Sequence, residues 1–330
     1  MPVAIQPERI LRELAELWTS LAQPDQGAST ASGVLRACSM TLIVAAEDAR
    51  DAGTIGETVG ELMHEHPSRA IVLKPAAASD VSSSRVYAQC WMPFGSRQQI
   101  CCEQIEITTP EGQLDEVARV ILGLLAPDLP AVLWARGPAW FERSGFEQIY
   151  PLIDKIVLDT CDFDNSSLEL STMRKLRERQ RPRIADLAWA RLTMWREMIA
   201  YTLEVAAPGP RLASIRDIEV RYFGEAPSTS CYYMAAWLSR ALHAAVSFRR
   251  VPGELGHIAG ISLAGPEFHL AFERGEGDSV RITGAAENVV VLPHATDYRA
   301  MREELTISGV DPAFEDAWTR AEQLRAEPAL

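Results

Sequence analysis

From Glu8 to Ala22 the apolar positions Ile10, Leu11, Leu14, Leu17, Trp18 and Leu21 recur at helical spacing, which predicts an amphipathic first helix. Gln23–Gly33 loses that period and reads as a loop. Cys38–Ala46 is compact, apolar and β-branched, as a buried strand requires, and Ala49–His64 has helical composition that stops at His66-Pro67. Ser68–Lys74 is a second short apolar run, Arg85–Met92 alternates, and Gln99–Thr108 alternates less regularly. Gly112–Leu125 predicts a helix with Asp115 and Glu116 in its first turn, and Ala131–Ala135 returns to a strand after Pro127 and Pro130. Trp140–Tyr150 predicts a helix, Lys155–Asp159 a strand, and Ser166–Arg179 a charged helix that runs into Gln180-Arg-Pro-Arg183.

Beyond that point Trp189–Val205 predicts one long helix, Ala213–Tyr222 a strand and Thr229–His243 another helix. Strands are expected at Val246–Val251, His257–Leu263, His269–Phe272, Ser279–Ile282 and Val289–Leu292, with one or two helices closing the chain. The alternation predicts an α/β (α+β) protein of two domains, residues 1–183 and 184–330, each a mixed sheet flanked by helices. Both halves run helix, strand, helix and then several strands, with Arg36–Leu73 and Leu212–Val251 as corresponding cores. That order is compatible with a diverged internal duplication, although residue identity between the halves is slight and strand-helix-strand order is common.

Length agrees with two cores, since 330 residues stand well above the size at which a single domain is usual. Apolar residues make up 47% and charged residues 23%, the balance of a folded globular chain. Lys and Arg number 32 against 45 Asp and Glu, a net charge of −13, so no uniform positive field exists to hold nucleic acid. The opening Met1-Pro-Val-Ala-Ile-Gln-Pro-Glu-Arg carries no uninterrupted apolar stretch, and no run approaches the roughly 20 residues that span a bilayer, so a cytoplasmic protein is expected.

Signatures of chemistry are sparse. No G-x-G-x-x-G follows a strand, and no phosphate-binding G-x-x-x-x-G-K-[ST], G-x-S-x-G elbow or H-E-x-x-H helix occurs, so no cofactor and no catalytic residue is assigned. His64 and His66 form an H-x-H pair without a nearby Cys or acid to complete a metal site, and no metal is expected. His243, His257, His269 and His294 are dispersed through the second half, where structural roles outnumber acid-base ones. The six cysteines form no C-x-x-C pair. Cys101 and Cys102 are neighbours on a predicted strand and would face opposite sides of the sheet, so buried thiols are the expectation.

The most unusual stretch is Asp186-Leu-Ala-Trp-Ala-Arg-Leu-Thr-Met-Trp-Arg-Glu197, which sets two tryptophans, two arginines and two acids in helical register. Asp186 is placed to cap, and Trp189 with Arg196 and Leu192 with Trp195 share helix faces. A core helix with snorkelling arginines accounts for this, and so does a Trp/Arg contact surface. At this block the chain resembles the OpcA family, whose members carry a comparable Asp-Leu-x-Trp-x-Arg-Leu-x-x-Trp-Arg-Glu run. Further matches in the family's order are Arg36-Ala-Cys38, His66-Pro-Ser-Arg69, Cys102-Glu-Gln-Ile-Glu-Ile107, Leu129-Pro-Ala-Val-Leu-Trp134 and Asp154-Lys-Ile-Val-Leu-Asp159-Thr, so the likeness runs from about Arg36 to Tyr222. Ala135 and Met194 depart from it, standing where relatives often have Trp and Pro.

The resemblance implies a non-catalytic α/β protein of the oxidative pentose phosphate pathway that binds glucose-6-phosphate dehydrogenase, assisting its assembly or shifting it toward an active state. His66, Arg69, Glu103, Trp134, Asp159, Asp186, Trp189, Arg191, Trp195 and Arg196 are the candidate partner- or anion-binding residues. The alternative is an enzyme or sensor of a phosphorylated sugar, in which Arg69, Arg191 and Arg196 would clamp phosphate beside Asp159, Asp186 or His66 as acid or base.

Overall fold

The computed structural model describes residues 5–22, 34–95, 98–143, 145–162, 173–178, 182–206, 209–253, 258–266, 268–284 and 287–327. The chain divides into two compact units, Met1–Asp159 with Met173–Ala185, and Thr160–Thr172 with Asp186–Leu330. Among the described residues no helix is long and apolar enough to cross a membrane.

The first unit is built on an eight-stranded sheet: β1 (Val34–Arg36), β2 (Met40–Ala45), β3 (Ser68–Ala76), β4 (Ser83–Trp91), β5 (Gln99–Pro110), β6 (Ala131–Ala135), β7 (Lys155–Leu158) and β8 (Arg183–Asp186). Its strands lie in the order β1-β5-β3-β2-β6-β7-β8, with β4 antiparallel on β5. The β5-β3, β3-β2, β2-β6 and β6-β7 pairs are parallel. Parallel strands bury both faces, which is why β2, β6 and β7 are nearly continuous apolar runs with little alternation. The Ala49–Leu62 helix makes the crossover from β2 to β3 and packs on β3. The Leu114–Leu124 helix crosses from β5 back to β6 on the far side of β2.

The second unit has a six-stranded sheet of β9 (Asp217–Tyr222), β10 (Ala245–Arg250), β11 (Ile258–Gly265), β12 (Phe268–Arg274), β13 (Ser279–Thr283) and β14 (Asn288–Val291), in the order β10-β9-β11-β12-β13-β14. Only β10 and β9 are parallel, joined through the Thr229–Leu242 helix, and β11 to β14 form an antiparallel meander. Both halves therefore hold the expected strand-helix-strand core, its strands parallel, but the sheets grow from it along different topologies. One face of this sheet packs on the Thr229–Leu242 helix, which in turn packs on the Pro312–Ala326 helix. The other face carries charges laid flat: Arg221 reaches Glu273 at 2.7 Å across Gly260, where a Cβ would meet Phe272 O at 2.6 Å.

Three expectations are corrected. Trp140–Tyr150 is not a helix but a series of 3-10 turns at Pro138–Glu142, Phe146–Gln148 and Tyr150–Leu152, because Gly145 and Pro151 interrupt any regular ladder. Trp189–Val205 is two helices, Leu187–Ala190 and Thr193–Ala206, separated at Arg191-Leu192. Cys101 is not a thiol: it faces Cys90 directly across the β4-β5 register and is joined to it in a disulfide, with Cα atoms 4.1 Å apart. Separated by a hairpin, this pairing needs the strand register, which no spacing rule supplies. The loop expected at Gln23–Gly33, most of the helix expected at Ser166–Arg179, and His257 lie outside the described residues, although 173–178 are helical.

Four cysteines lie outside this disulfide: Cys38 and Cys161 half-buried, Cys102 and Cys231 buried. Burial pushes the Cys102 and Cys231 thiols up to about 11, so at pH 8 both are protonated as well as enclosed. Titration with Ellman's reagent at pH 8 is expected to read at most two thiols on the native protein, four after unfolding without reductant, and six after reduction. A third native thiol would contradict the burial, and six without reductant would contradict the disulfide.

Candidate functional site

The Asp186–Glu197 block is mostly scaffold for the second unit. Asp186 is buried with 1% exposure and caps the Leu187–Ala190 helix, accepting from Ala188 N–H at 2.9 Å. The same carboxylate accepts from Thr160 N–H at 3.1 Å, Thr160 Oγ1 at 2.7 Å and Tyr233 OH at 2.8 Å. Trp189 is buried and donates through Nε1 to Asp311 at 2.9 Å, and Asp311 itself caps the Pro312–Ala326 helix. Arg196 stacks on the Trp189 ring with Cζ 3.6 Å from its centroid and donates to Thr193 Oγ1 at 2.7 Å. Burial lowers the Arg196 pKa, opposed by Glu303, the acid that the Thr193 hydroxyl meets at 2.5 Å.

The helix break at Arg191-Leu192 turns the block's other residues outward onto a cavity of about 910 Å³, within the range of small-molecule sites. Its lining includes Arg191, Leu192, Met194 and Trp195 from the block. Arg191 pairs with Asp297 at 2.6 Å and donates to Ala295 O. Phe223 lines the opposite wall, its ring against Gly253, whose φ of +155° and missing Cβ let it approach. Arg274, at the end of β12, stands over the Trp195 ring with Cζ 5.4 Å from the centroid. Neither Phe223 nor Arg274 was a sequence candidate, since Arg274 reads as an ordinary charge ending an alternating strand. The signal that could have marked it is the tight Gly275-Glu-Gly-Asp278 turn beside it, where Gly277 has φ +60°.

In the first unit Arg69 and Glu103 are direct sheet partners on β3 and β5, bridged at 2.7 Å and both buried. Glu103 also takes Trp18 Nε1 at 2.6 Å and Arg36 at 2.5 Å, while Arg69 donates to Leu124 O at 2.9 Å. Trp134 is fully buried in β6 with Nε1 unpartnered, its ring beneath the Arg136 guanidinium at 5.1 Å. Asp159 is buried just past β7, and His66 is half-buried past the Ala49–Leu62 helix, its N–H donating to Leu62 O. Arg69, Arg191 and Arg196 are thus each committed to partners within their own unit.

Read in chain order, β5-β3-β2-β6-β7-β8 is 3-2-1-4-5-6, the strand order of dinucleotide-binding sheets, in which pyrophosphate sits on a glycine-rich turn after the first strand. The residues present do not fit that group. The turn after β2 is Ala46-Glu47-Asp48, without glycine. Asp51 takes Glu47 N–H at 2.9 Å, and Asp48 takes Asp51 N–H at 2.8 Å, so carboxylates occupy the donors that would face phosphate. Trp140 Nε1 closes on Ala46 O at 3.1 Å, and the remaining cavity of about 270 Å³ has Glu47, Asp48 and Glu111 on its walls. Among the described residues no group of 3 or more His, Cys, Asp or Glu could hold a metal ion.

Comparison with known proteins decides the family. The family described as glucose-6-phosphate dehydrogenase subunit N-terminal domain matches residues 59–175, and the corresponding C-terminal domain matches residues 182–318. The chain belongs to the OpcA family. A protein named as OxPP cycle protein OpcA from Nostoc punctiforme is 26% identical over 196 residues, 59% of this chain and 42% of that protein. One of the same name from Synechocystis is 28% identical over 192 residues, 57% of this chain and 40% of that protein. The chain thus aligns with about two-fifths of the length of these OpcA relatives. Among solved structures, an oxidoreductase from Sinorhizobium meliloti overlaps at TM-score 0.49 and 10% identity, over 88% of this chain and 96% of that one. A levoglucosan dehydrogenase overlaps at TM-score 0.45 and 10% identity, over 87% and 94%. Likeness at that distance bears on neither cofactor nor reaction.

Removing the Asp186 carboxylate would strand buried donors from Thr160 and Tyr233 and uncap the helix that leads to the cavity. Asp186→Ala is expected to cost at least about 3 kcal/mol in urea unfolding, and Tyr233→Phe about 1 kcal/mol. A loss under about 1 kcal/mol for Asp186→Ala would show that the node is not what holds this region.

Proposed function

We propose that this OpcA-family protein is a non-catalytic partner of glucose-6-phosphate dehydrogenase that binds the enzyme, supports its assembly and shifts it toward its active state in the oxidative pentose phosphate pathway. The observation that carries this reading is the match of both halves of the chain, 59–175 and 182–318, to the two domains of that family. The acids on the first strand-to-helix turn support it. In a sheet of dinucleotide-binding order, Glu47, Asp48 and Asp51 set negative charge where an anionic cofactor would need backbone donors. The commitment of Arg69, Arg191 and Arg196 to internal partners weighs against a three-arginine phosphate clamp.

An activator acts by binding the active arrangement of the enzyme better than the inactive one, so its effect is bounded by that difference in affinity. The test is the initial rate of the same organism's purified glucose-6-phosphate dehydrogenase across substrate concentrations, with and without this protein, alongside size-exclusion chromatography of the mixture. Co-elution with a lowered KM or a raised kcat is expected. No complex and no kinetic change would overturn the reading, and turnover of glucose 6-phosphate by the protein alone would replace it with an enzyme.

A further inference from the structure

We propose that the cavity of the second unit is a binding site for a small organic anion with a flat apolar or aromatic body, its carboxylate or phosphate held by Arg274. Nothing in the family match assigns a ligand here, and the inference stands apart from the partnership with the dehydrogenase.

Arg274 carries the argument. Its guanidinium is half-buried on the cavity wall, donates from Nε to Ile258 O at 3.4 Å, and makes no ion pair among the described residues. The neighbouring arginines are paired, Arg191 with Asp297 and Arg221 with Glu273, and the acids on the cavity wall, Glu276 and Asp278, form no ion pair with Arg274. Burial depresses the Arg274 pKa, and Asp278 is the acid that opposes this from the following turn. A half-buried cation facing a cavity without a carboxylate partner is stabilised by an incoming anion through charge-assisted hydrogen bonds. The Trp195 ring centroid lies 5.4 Å from the guanidinium carbon, and the one hydrogen bond of the guanidinium among the described residues is made by Nε to Ile258 O.

The body of the ligand follows from the walls. Leu192, Met194, Phe223, Pro252, Leu292 and Pro293 make most of the wall apolar, and Ser230, Glu276, Asp278 and His294 are among its polar side chains. A free sugar phosphate would satisfy its phosphate on Arg274 but lay its ring on this apolar surface, and each hydroxyl not reaching Ser230, Glu276, Asp278 or His294 would cost about 1–3 kcal/mol. A flat apolar body against Trp195 and Phe223 loses nothing of that kind and gains the area it buries. The turn that carries Asp278 is pinned by Leu292 N–H donating to Asp278 O at 2.6 Å and Gly275 N–H to Ser279 O at 2.9 Å, so Arg274 is rooted in a fixed strand end.

The probe is 8-anilinonaphthalene-1-sulfonate, a flat aromatic anion whose fluorescence rises on apolar burial, titrated into the isolated protein with no dehydrogenase present. One site per chain is expected. Arg274→Gln should weaken it at least tenfold at an unchanged melting temperature, Arg274→Lys should retain part of it, and Met194→Trp should abolish it by filling the space. Competition by 1-naphthoate and by 1-naphthyl phosphate tells carboxylate from phosphate, while inorganic phosphate and glucose 6-phosphate should compete at least a hundredfold more weakly than either. Binding that is absent, spread over several weak sites, or equal in the wild type and Arg274→Gln overturns the proposal. Equal competition by glucose 6-phosphate overturns the apolar body. Because the dehydrogenase is absent, none of these outcomes depends on whether the protein binds that enzyme.

Discussion

The second unit depends on a buried carboxylate that has no freedom to be anything else. Asp186 meets Thr160, Ala188 and Tyr233 at once, so it joins the segment after β7, the start of the Leu187–Ala190 helix and the middle of the Thr229–Leu242 helix. A carboxylate taken out of water is costly unless its lone pairs are met, and here backbone and hydroxyl donors meet them. With that helix start fixed, Trp189 is aimed at the core, where it lies edge-on to Tyr233 and donates to the cap residue of the Pro312–Ala326 helix. Helix capping, aromatic packing and the course of the following break are therefore consequences of one node.

The break after Ala190 divides the block's chemistry. Trp189 and Arg196, seven positions apart, stack on each other inside, whereas Arg191, Leu192, Met194 and Trp195 reach the cavity wall. An unbroken helix would carry a single apolar face and could not serve core and cavity with neighbouring residues. The same economy of charge marks the first unit, where one buried Glu103 answers two arginines and a tryptophan. Removing Glu103 would leave the buried Arg69 without a countercharge, whereas removing the half-exposed Arg36 leaves Glu103 still paired with Arg69.

How much of this was legible follows from the range of the forces involved. The core strands were readable because β2, β3, β6 and β7 are continuous apolar runs separated by proline-marked turns, and that pattern is local, whereas their parallel pairing was not read from it. The Asp186 cap was readable for the same reason. The 3-10 path from Pro138 to Leu152 was not, since Gly145 and Pro151 interrupt a stretch whose other residues favour helix, and the break at Arg191 was not, since composition there favours helix and tertiary contacts override it. Among the candidate residues, the block was rightly singled out as unusual, but whether its arginines face partner or core is set by Asp297, Thr193 and Glu303, which lie outside the pattern or read as plain polar surface. Arg274 was missed because what distinguishes it is the lack of an ion-pair partner, and only the glycine turn that follows it leaves a mark in the sequence.

The strand order of the first unit and the residues on its first turn pull in opposite directions, and the residues decide. Order 3-2-1-4-5-6 arranges a crevice at the carboxyl ends of β2 and β6, where the crossovers part to opposite sides. Whether that crevice binds an anion depends on free N–H groups at the start of the Ala49–Leu62 helix and on backbone close enough to touch phosphate. Asp48 and Asp51 satisfy donors there from within, Arg136 is tied to Asp51 at 2.7 Å, and Trp140 fills the space above Ala46. Each of these acids and the indole leaves one requirement of pyrophosphate binding unmet, and none of them belongs to the apolar strands that pack the sheet. Strand order alone therefore does not decide what a crevice binds, and surfaces and other cavities are equally places where function can reside.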